Sequence, residues 1–169
     1  VCLRLLKMFK TLISLDVSTT CTGYSKFKVD FDKKEYEYIT TDSVKAKDKN
    51  IYTRFHTMQT SFETLKLYTG CDLVVFEDYA FNGNRVTQLA EMNGLLKYNY
   101  TLNDKPIMTI APSTIKKWVT GHGRGSKDLV RKAIQERQEF AHIKFKNNDE
   151  SDSAAVGLAF ILKSFGETK

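Results

Sequence analysis

An apolar run near the N-terminus carries a single carboxylate, and this combination constrains the chain more than any other feature. Residues 10–16 are predicted to form a buried strand that ends in Asp16, and a turn rich in serine and threonine follows as far as Gly23. Burying a lone carboxylate costs free energy unless the group is paired or binds a cation. The stretch therefore leaves three interpretations open: a metal ligand, a phosphate-binding turn, or a strand that simply ends in a turn-forming aspartate.

Length and composition indicate a folded globular chain. Its 169 residues are 41% hydrophobic and 27% charged, which argues against wholesale disorder. We expect one domain over residues 8–169, and we interpret residues 1–7, which precede Met8, as an upstream or vector-derived extension. The net charge of +6 is compatible with a nucleic-acid partner but is weak evidence by itself.

The cysteines and the hydropathy pattern bear on location. Cys2, Cys21 and Cys71 have neither the spacing of a zinc site nor the even count of a disulfide framework, which favours a reducing cytosol. No run reaches the roughly 18 apolar residues that a membrane span needs. These features predict a cytoplasmic protein with no membrane partner.

Hydrophobic periodicity predicts three strands followed by alternating helices and strands. The predicted strands span residues 10–16, 23–30, 35–41, 72–77 and 106–111, and the predicted helices span residues 50–68, 84–100, 112–118, 126–140 and 147–165. The short connections of the first three strands indicate an antiparallel meander. The whole order predicts an α/β domain with an RNase H-like fold, in which helices flank a five-stranded mixed sheet.

Three further acids fall at the ends of predicted elements. Glu77 closes the fourth strand, and α/β sheets bind ligands at the carboxyl ends of their strands. If the first and fourth strands are neighbours, Glu77 lies beside Asp16, and two adjacent carboxylates usually share a proton or a metal ion. Asp149 and Asp152 are three positions apart in the first turn of the last helix and therefore lie on one of its faces.

Acids in a first turn also stabilise a helix through its dipole, so either aspartate alone has a purely structural explanation. Four acids at the ends of elements fit a different chemistry, because Mg²⁺ prefers oxygen ligands. Two such ions about 4 Å apart can activate a water and stabilise the leaving oxygen of a phosphodiester. The set of acids therefore predicts a two-metal site.

Four blocks of the chain together resemble the RuvC family of Holliday-junction resolvases over about residues 8–165. They are residues 16–23, residues 75–77, residues 111–127 and residues 149–154, and the last two form a Pro-Ser…Lys…Gly-x-Gly…Lys block followed by Asp-x-x-Asp-x-Ala. The resemblance implies that Asp16, Glu77, Asp149 and Asp152 are catalytic ligands of two Mg²⁺ ions, with Mn²⁺ able to substitute. It also implies two catalytic lysines, Lys116 and Lys127, that contact phosphate near the cut.

The activity that the resemblance implies is metal-dependent cleavage of Holliday junctions and other branched DNA, with flaps and forks as further candidate substrates. Such an endonuclease serves recombination, repair or phage DNA debranching. A four-way junction has two-fold symmetry and needs two cuts, which a homodimer with two active sites matches. The composition, rich in Lys, Asn and Tyr, resembles phage-encoded members, which would act in the host cytoplasm.

A basic segment precedes the last helix. From Lys105 to Lys132 the chain has seven basic residues against one acid, and interspersed glycines let backbone N–H groups approach phosphates. The residues predicted to bind DNA are Phe81, Arg85, Lys117, Arg124, Lys127 and Arg131. The resemblance implies an aromatic residue shortly after Glu77 that separates bases, for which Phe81 is the nearest match and Tyr79 an alternative. A solvated basic helix face is the plainer explanation of the charges.

Two alternative functions remain open from the sequence. The first is a branched-DNA-binding protein without cleavage, against which the complete acidic set argues. The second is an ATP-binding domain of the actin and sugar-kinase type, suggested by the turn after Asp16. That superfamily needs a second, duplicated domain, and the chain is short and shows no internal repeat.

Overall fold

The computed structural model describes residues 11–78 and 86–166. The elements in chain order are β1 (Thr11–Asp16), β2 (Cys21–Asp30), β3 (Glu35–Lys45), α1 (Ile51–Thr64), β4 (Leu73–Glu77), α2 (Val86–Leu102), β5 (Ile107–Ile110), α3 (Pro112–Thr120), α4 (Lys127–Gln135) and α5 (Asn148–Phe165). The predicted order of strands and helices is confirmed. None of the helices in these two ranges is both long and apolar enough to cross a membrane.

Two predicted helices end earlier than their apolar patterns suggest. The first ends at Thr64, because Lys66 adopts a positive φ of 54° and turns the chain back before the buried side chains of Leu67 and Tyr68. The fourth ends at Gln135, whose side-chain amide donates hydrogen bonds to the carbonyls of two later residues in the turn that follows. In both places a turn brings apolar side chains into the core without continuing the helix.

The five strands form one mixed sheet in the order β3-β2-β1-β4-β5. The first three strands are antiparallel, whereas β1 pairs in parallel with β4, and β4 in parallel with β5. Leu15 pairs with Phe76, so the next residues along the two strands are Asp16 and Glu77. The predicted neighbourhood of the first and fourth strands is therefore confirmed.

Helices cover both faces of the sheet, and each face has its own core. Alternate residues of a strand point to opposite faces, so Leu12 belongs to one core and Ile13 to the other. Residues of α1 and α2 pack on the face of Ile13, and residues of α3, α4 and α5 pack on the face of Leu12. The carboxyl ends of β1 and β4 thus open between two groups of helices.

Polar contacts fix the start of α5 to the sheet. Glu150 is only 1% exposed, and its carboxylate accepts a hydrogen bond from the Ser43 hydroxyl at 3.2 Å and one from the Lys146 amide at 2.7 Å. Asn147 caps the helix, because its side-chain oxygen accepts from the Glu150 amide at 3.0 Å. These contacts hold the first turn of α5, and with it Asp152, at one place over the strands.

We predict that Gly23→Ala destabilises the fold. A Cβ at this position of β2 would lie 1.9 Å from the backbone oxygen of Asp149, which cannot move without shifting α5. Overpacking of this kind costs about 1–3 kcal/mol. In thermal unfolding of a chain this size, that loss lowers Tm by roughly 2–4 °C per kcal/mol.

Gly94→Ala is the matched control, because a Cβ there in α2 meets nothing within 4 Å. Alanine is the better helix former by about 0.5–1 kcal/mol, so this variant is expected to be slightly more stable than the wild type. Equal Tm values for the two variants would contradict the close approach of β2 and α5.

Candidate active site

Asp16 and Glu77 form a carboxyl pair at the end of the parallel strands β1 and β4. The two side chains lie close enough to interact directly. Burial raises the pKa of Asp16 well above its ordinary value, and repulsion from Glu77 and Asp152 raises it further. Burial also raises the pKa of Glu77. Because two partly buried carboxylates side by side resist ionising together, these raised pKa values favour retention of a proton by the pair when no cation is present.

Asp152 brings a third acid from α5, and two cationic side chains of α4 contact it. The Lys127 ammonium lies 3.0 Å from Oδ2, and the Arg131 guanidinium lies 3.2 Å from Oδ1 through Nε and 3.2 Å from Oδ2 through Nη2. Burial lowers the pKa of Lys127, but Asp152, Asp16 and Glu77 outweigh it, so the net pKa lies above its usual value. Lys127 therefore stays charged beside the acids.

A cavity of about 440 Å³ connects these groups. Its polar lining includes five of the six residues predicted to be catalytic, namely Asp16, Glu77, Lys116, Lys127 and Asp152. Its apolar lining includes Val17, Leu89, Ile115 and Val130. The cavity therefore combines carboxylates, two ammonium groups and apolar walls. The ammonium groups could stabilise the negative charge of an anionic substrate that binds there.

Asp149, the sixth predicted residue, is not among the residues that line this cavity. Its side chain lies near the thiol of Cys21, and its backbone lies against Gly23. Burial and this contact with Asp149 raise the pKa of Cys21 to about 11, so the thiol stays protonated. The structure thus brings three acids together and places the fourth near the amino end of β2, and the predicted ligand role of Asp149 stays a prediction.

The acids suit a divalent cation by their chemistry more than by their present arrangement. Within residues 11–78 and 86–166, no three His, Cys, Asp or Glu side chains are grouped so that they could hold a metal ion. Three acids of the cavity nevertheless interact with positive charge or favour it: the raised pKa values of Asp16 and Glu77 favour proton binding there, and Lys127 and Arg131 contact Asp152. These are the positions at which cation charge would act, and the donors are the hard oxygens that Mg²⁺ prefers.

The residues predicted to bind DNA divide into three groups. Lys117 and Arg124 are exposed and free to contact a large ligand. Lys127 and Arg131 are turned towards Asp152. Phe81 and Arg85 lie outside the described residues, and so does the segment 1–7.

Two features of the site were not predicted from the sequence. One is the Arg131–Asp152 pair, for which the spacing of four residues between Lys127 and Arg131 was an available signal, because it places both on one helix face. The other is Asn93, which is 2% exposed and lines the cavity. Its Nδ2 donates to the Leu89 carbonyl at 3.0 Å, while its Oδ1 meets no donor among the described residues.

The turn after Asp16 uses its hydroxyl groups internally. The Thr22 hydroxyl donates to the Ser18 carbonyl at 3.0 Å and accepts from the Ser18 amide at 3.2 Å. The Ser18 hydroxyl accepts from the Thr20 amide at 3.3 Å. These contacts shape the hairpin between β1 and β2, and they leave the phosphate-binding interpretation of the turn without support.

Comparison with known proteins gives one consistent answer. The family model of crossover junction endodeoxyribonuclease RuvC matches residues 12–160. The RuvC protein of Dictyoglomus thermophilum is 28% identical over 160 residues, which are 92% of this chain and 98% of that protein. The RuvC protein of Caldicellulosiruptor saccharolyticus is 26% identical over 159 residues, which are 90% of this chain and 93% of that protein.

Solved structures show the same fold. Thermus thermophilus RuvC, in complex with a Holliday-junction substrate, superposes with a TM-score of 0.75 at 14% identity, covering 95% of this chain and 98% of that one. The fowlpox virus Holliday-junction resolvase superposes with a TM-score of 0.58 at 15% identity, covering 90% of this chain and 99% of that one. The predicted RNase H-like fold with a five-stranded mixed sheet is confirmed.

The raised pKa of Asp16 predicts that this residue destabilises the cation-free protein at neutral pH. The unfolded chain releases the Asp16 proton near the ordinary carboxyl pKa of about 3.9, whereas the folded chain retains it to higher pH. Stability is therefore lost as the pH rises from that value towards the raised pKa. Asp16→Asn, which cannot ionise, should be more stable than the wild type at pH 7, a gain that appears as roughly 2–4 °C in Tm per kcal/mol.

The measurement is thermal unfolding in EDTA at several pH values, and the advantage of Asp16→Asn should vanish near pH 4, a value of about the ordinary carboxyl pKa. Asp104→Asn, which removes an exposed carboxylate from a turn, is the control. A variant that is less stable than the wild type at pH 7 would show that Asp16 contributes to folding as an ionised group.

Proposed function

The chain belongs to the RuvC family of crossover junction endodeoxyribonucleases, and on this premise we propose that it cuts four-way DNA junctions by metal-dependent phosphodiester hydrolysis. One observation carries the proposal. Asp16, Glu77 and Asp152 come from three separate elements and meet in one cavity with Lys116 and Lys127. A partly buried cluster of acids lowers the stability of the fold, so its presence indicates a function that requires it. Metal-dependent phosphodiester hydrolysis is such a function.

The acids are the proposed cation ligands. Asp16, Glu77 and Asp152 would hold Mg²⁺, with Mn²⁺ able to substitute, and Asp149 would complete a site for two ions on the strength of its motif. When bound, the ions supply an activated water and stabilise the leaving oxygen. The protein's own contribution is placement, because the parallel pairing of β1 with β4 brings two of the carboxylates together.

The two lysines are the proposed phosphate contacts. Lys127 remains protonated beside the acids, and Lys116 lines the same cavity from α3. Both ammonium groups would orient the scissile phosphate and balance the charge that develops on it. Lys117 and Arg124 lie exposed nearby in the chain and would contact the DNA backbone, which positions the duplex without reading its sequence.

A homodimer acting on branched DNA is the proposed assembly. Two copies related by a two-fold axis would present two active sites to a symmetric junction. On α2, Tyr98 and Leu102 are 61% and 62% exposed and lie four positions apart on one face, which supports this helix as the contact between copies. Flaps and forks are further proposed substrates, and the proposed compartment is the cytoplasm, that of the host if the protein is phage-encoded.

We predict that Asp16→Asn retains junction binding and loses cleavage. The amide keeps the shape of the side chain but cannot supply a negative ligand, so the cation fails to load correctly. Gel-shift binding and cleavage of a four-way junction, a flap and a fork in Mg²⁺ would measure the two properties separately. Wild-type cleavage should stop in EDTA. In Mg²⁺ the cleaved strands should carry 5′-phosphate and 3′-hydroxyl ends.

Asp104→Asn again serves as the control and should cut normally. Cleavage that survives Asp16→Asn would overturn the ligand role of Asp16. A wild-type chain that binds junctions but never nicks them would favour the alternative of a binding protein without cleavage, for which the lack of a preformed group of three metal-binding side chains in the described ranges is the one supporting observation.

We predict that Lys116→Ala and Lys127→Ala slow cleavage more than they weaken binding. Each removes one positive group aimed at the reacting phosphate, and losing such a group typically costs about 10²-fold in rate. Lys132→Ala is the control, since Lys132 is exposed on the same helix as Lys127 and pairs with Glu136 at 3.8 Å. Single-turnover rates at saturating enzyme separate the two effects. Equal rate losses in all three variants would show that Lys116 and Lys127 act only through the net positive charge of the protein.

A further inference from the structure

Arg131 makes the most complete contact with any acid of the cavity. Its Nε and Nη2 atoms lie 3.2 Å from the two different oxygens of Asp152, which is the forked geometry that fixes the plane of a carboxylate. Asp152 is 11% exposed and Arg131 25% exposed in their side chains, so solvent screens this pair only in part. The sequence predicted a DNA contact for Arg131, whereas the structure commits its guanidinium to an acid.

Lys127 and Arg131 hold Asp152 in different ways. Lys127 is 64% exposed and touches one oxygen, so its flexible stem can swing towards a phosphate while Asp152 keeps its other partner. Arg131 is more buried, and its Nη1 atom also contacts Asp128 at 3.4 Å. Arg131 is therefore less free than Lys127 to leave Asp152, and a strong competing anion is needed to displace it.

Together these donors occupy most of the acceptor capacity of Asp152. An ionised carboxylate offers about four lone-pair sites, and three N–H groups of Lys127 and Arg131 are directed at them. A divalent cation approaching Asp152 therefore meets both occupied lone pairs and two positive charges. This agrees with the finding that, within the described ranges, no three His, Cys, Asp or Glu side chains are grouped so that they could hold a metal ion.

We propose that Arg131 is a positioning residue that orients Asp152 and competes with the divalent cation for it. The inference rests on the proposed function. DNA phosphates would draw positive charge away from Asp152, so junction binding and cation binding strengthen each other. Such coupling is reciprocal and typically amounts to at least about fivefold in affinity.

The test is Mn²⁺ binding, followed by the electron paramagnetic resonance signal of free Mn²⁺, without any cleavage step. Arg131→Gln should bind Mn²⁺ about five- to tenfold more tightly than the wild type in the absence of DNA, because the competing charge is gone. A four-way junction should tighten Mn²⁺ binding to the wild type and have a smaller effect on Arg131→Gln. Arg131→Lys, which keeps the charge but loses the fork, should lie between the two.

Lys132→Gln is the matched control, because it removes one charge from the same helix without touching Asp152. Thermal unfolding in EDTA verifies that each variant is folded, and Arg131→Lys preserves the test if Arg131→Gln is not. Unchanged or weaker Mn²⁺ binding by Arg131→Gln would overturn the inference, as would an equal gain by Lys132→Gln. If Arg131→Gln leaves Mn²⁺ binding unchanged or weaker and also weakens junction binding, Arg131 contacts DNA instead.

The control for the proposed function is separate. Wild-type Mn²⁺ binding that Asp16→Asn abolishes supports the metal site whatever Arg131 does. A wild-type chain with no saturable Mn²⁺ binding, with or without a junction, would overturn the metal site and the role of Arg131 together. Failure of the inference alone therefore leaves a different result from failure of the proposed function.

Discussion

The close packing of α5 on the sheet is the constraint on which the rest of the structure depends. The Ser14 hydroxyl donates to the backbone oxygen of Ser153 at 2.7 Å, and the hydroxyls of Ser25 and Ser153 lie 2.8 Å apart. At Gly157 a Cβ would lie 2.3 Å from the ring of Phe27. Small and hydroxyl-bearing residues let the helix approach closely enough for polar groups of helix and strand to satisfy one another, and that approach brings Asp152 over the end of β1.

The same contact sets the electrostatics of the cavity. Asp16 and Glu77 are neighbours because β1 and β4 pair in parallel, and the first turn of α5 adds Asp152. Three acids at one place would repel one another strongly in a partly buried site. Lys127 and Arg131 compensate the charge of Asp152, and the raised pKa values of Asp16 and Glu77 favour retention of a proton by that pair. The acids of the site thus attract positive charge. In the absence of a ligand Lys127 and Arg131 supply it, and under the proposed function divalent cations would supply it.

Much of the architecture follows from local patterns. Period-two alternation in β3, the apolar run of β4 and the capping residues of α4 and α5 each specify an element without reference to the rest of the chain. Helix ends at Thr64 and Gln135 do not follow from such patterns, because the apolar residues beyond them are buried through turns. An apolar stripe indicates burial, and only the tertiary packing decides whether a helix or a turn provides it.

The sequence by itself determined the set of chemical groups: an acid at the end of each of two buried strands, two acids in the first turn of the last helix, and a basic segment before it. These features depend on spacing along one element, which the sequence records directly. Only the tertiary structure decided which of these groups contact one another. It directed Arg131 to Asp152, placed Asp149 beside Cys21 and buried Asn93 in the cavity wall. Those outcomes depend on distances between elements far apart in the chain, and no local pattern encodes them.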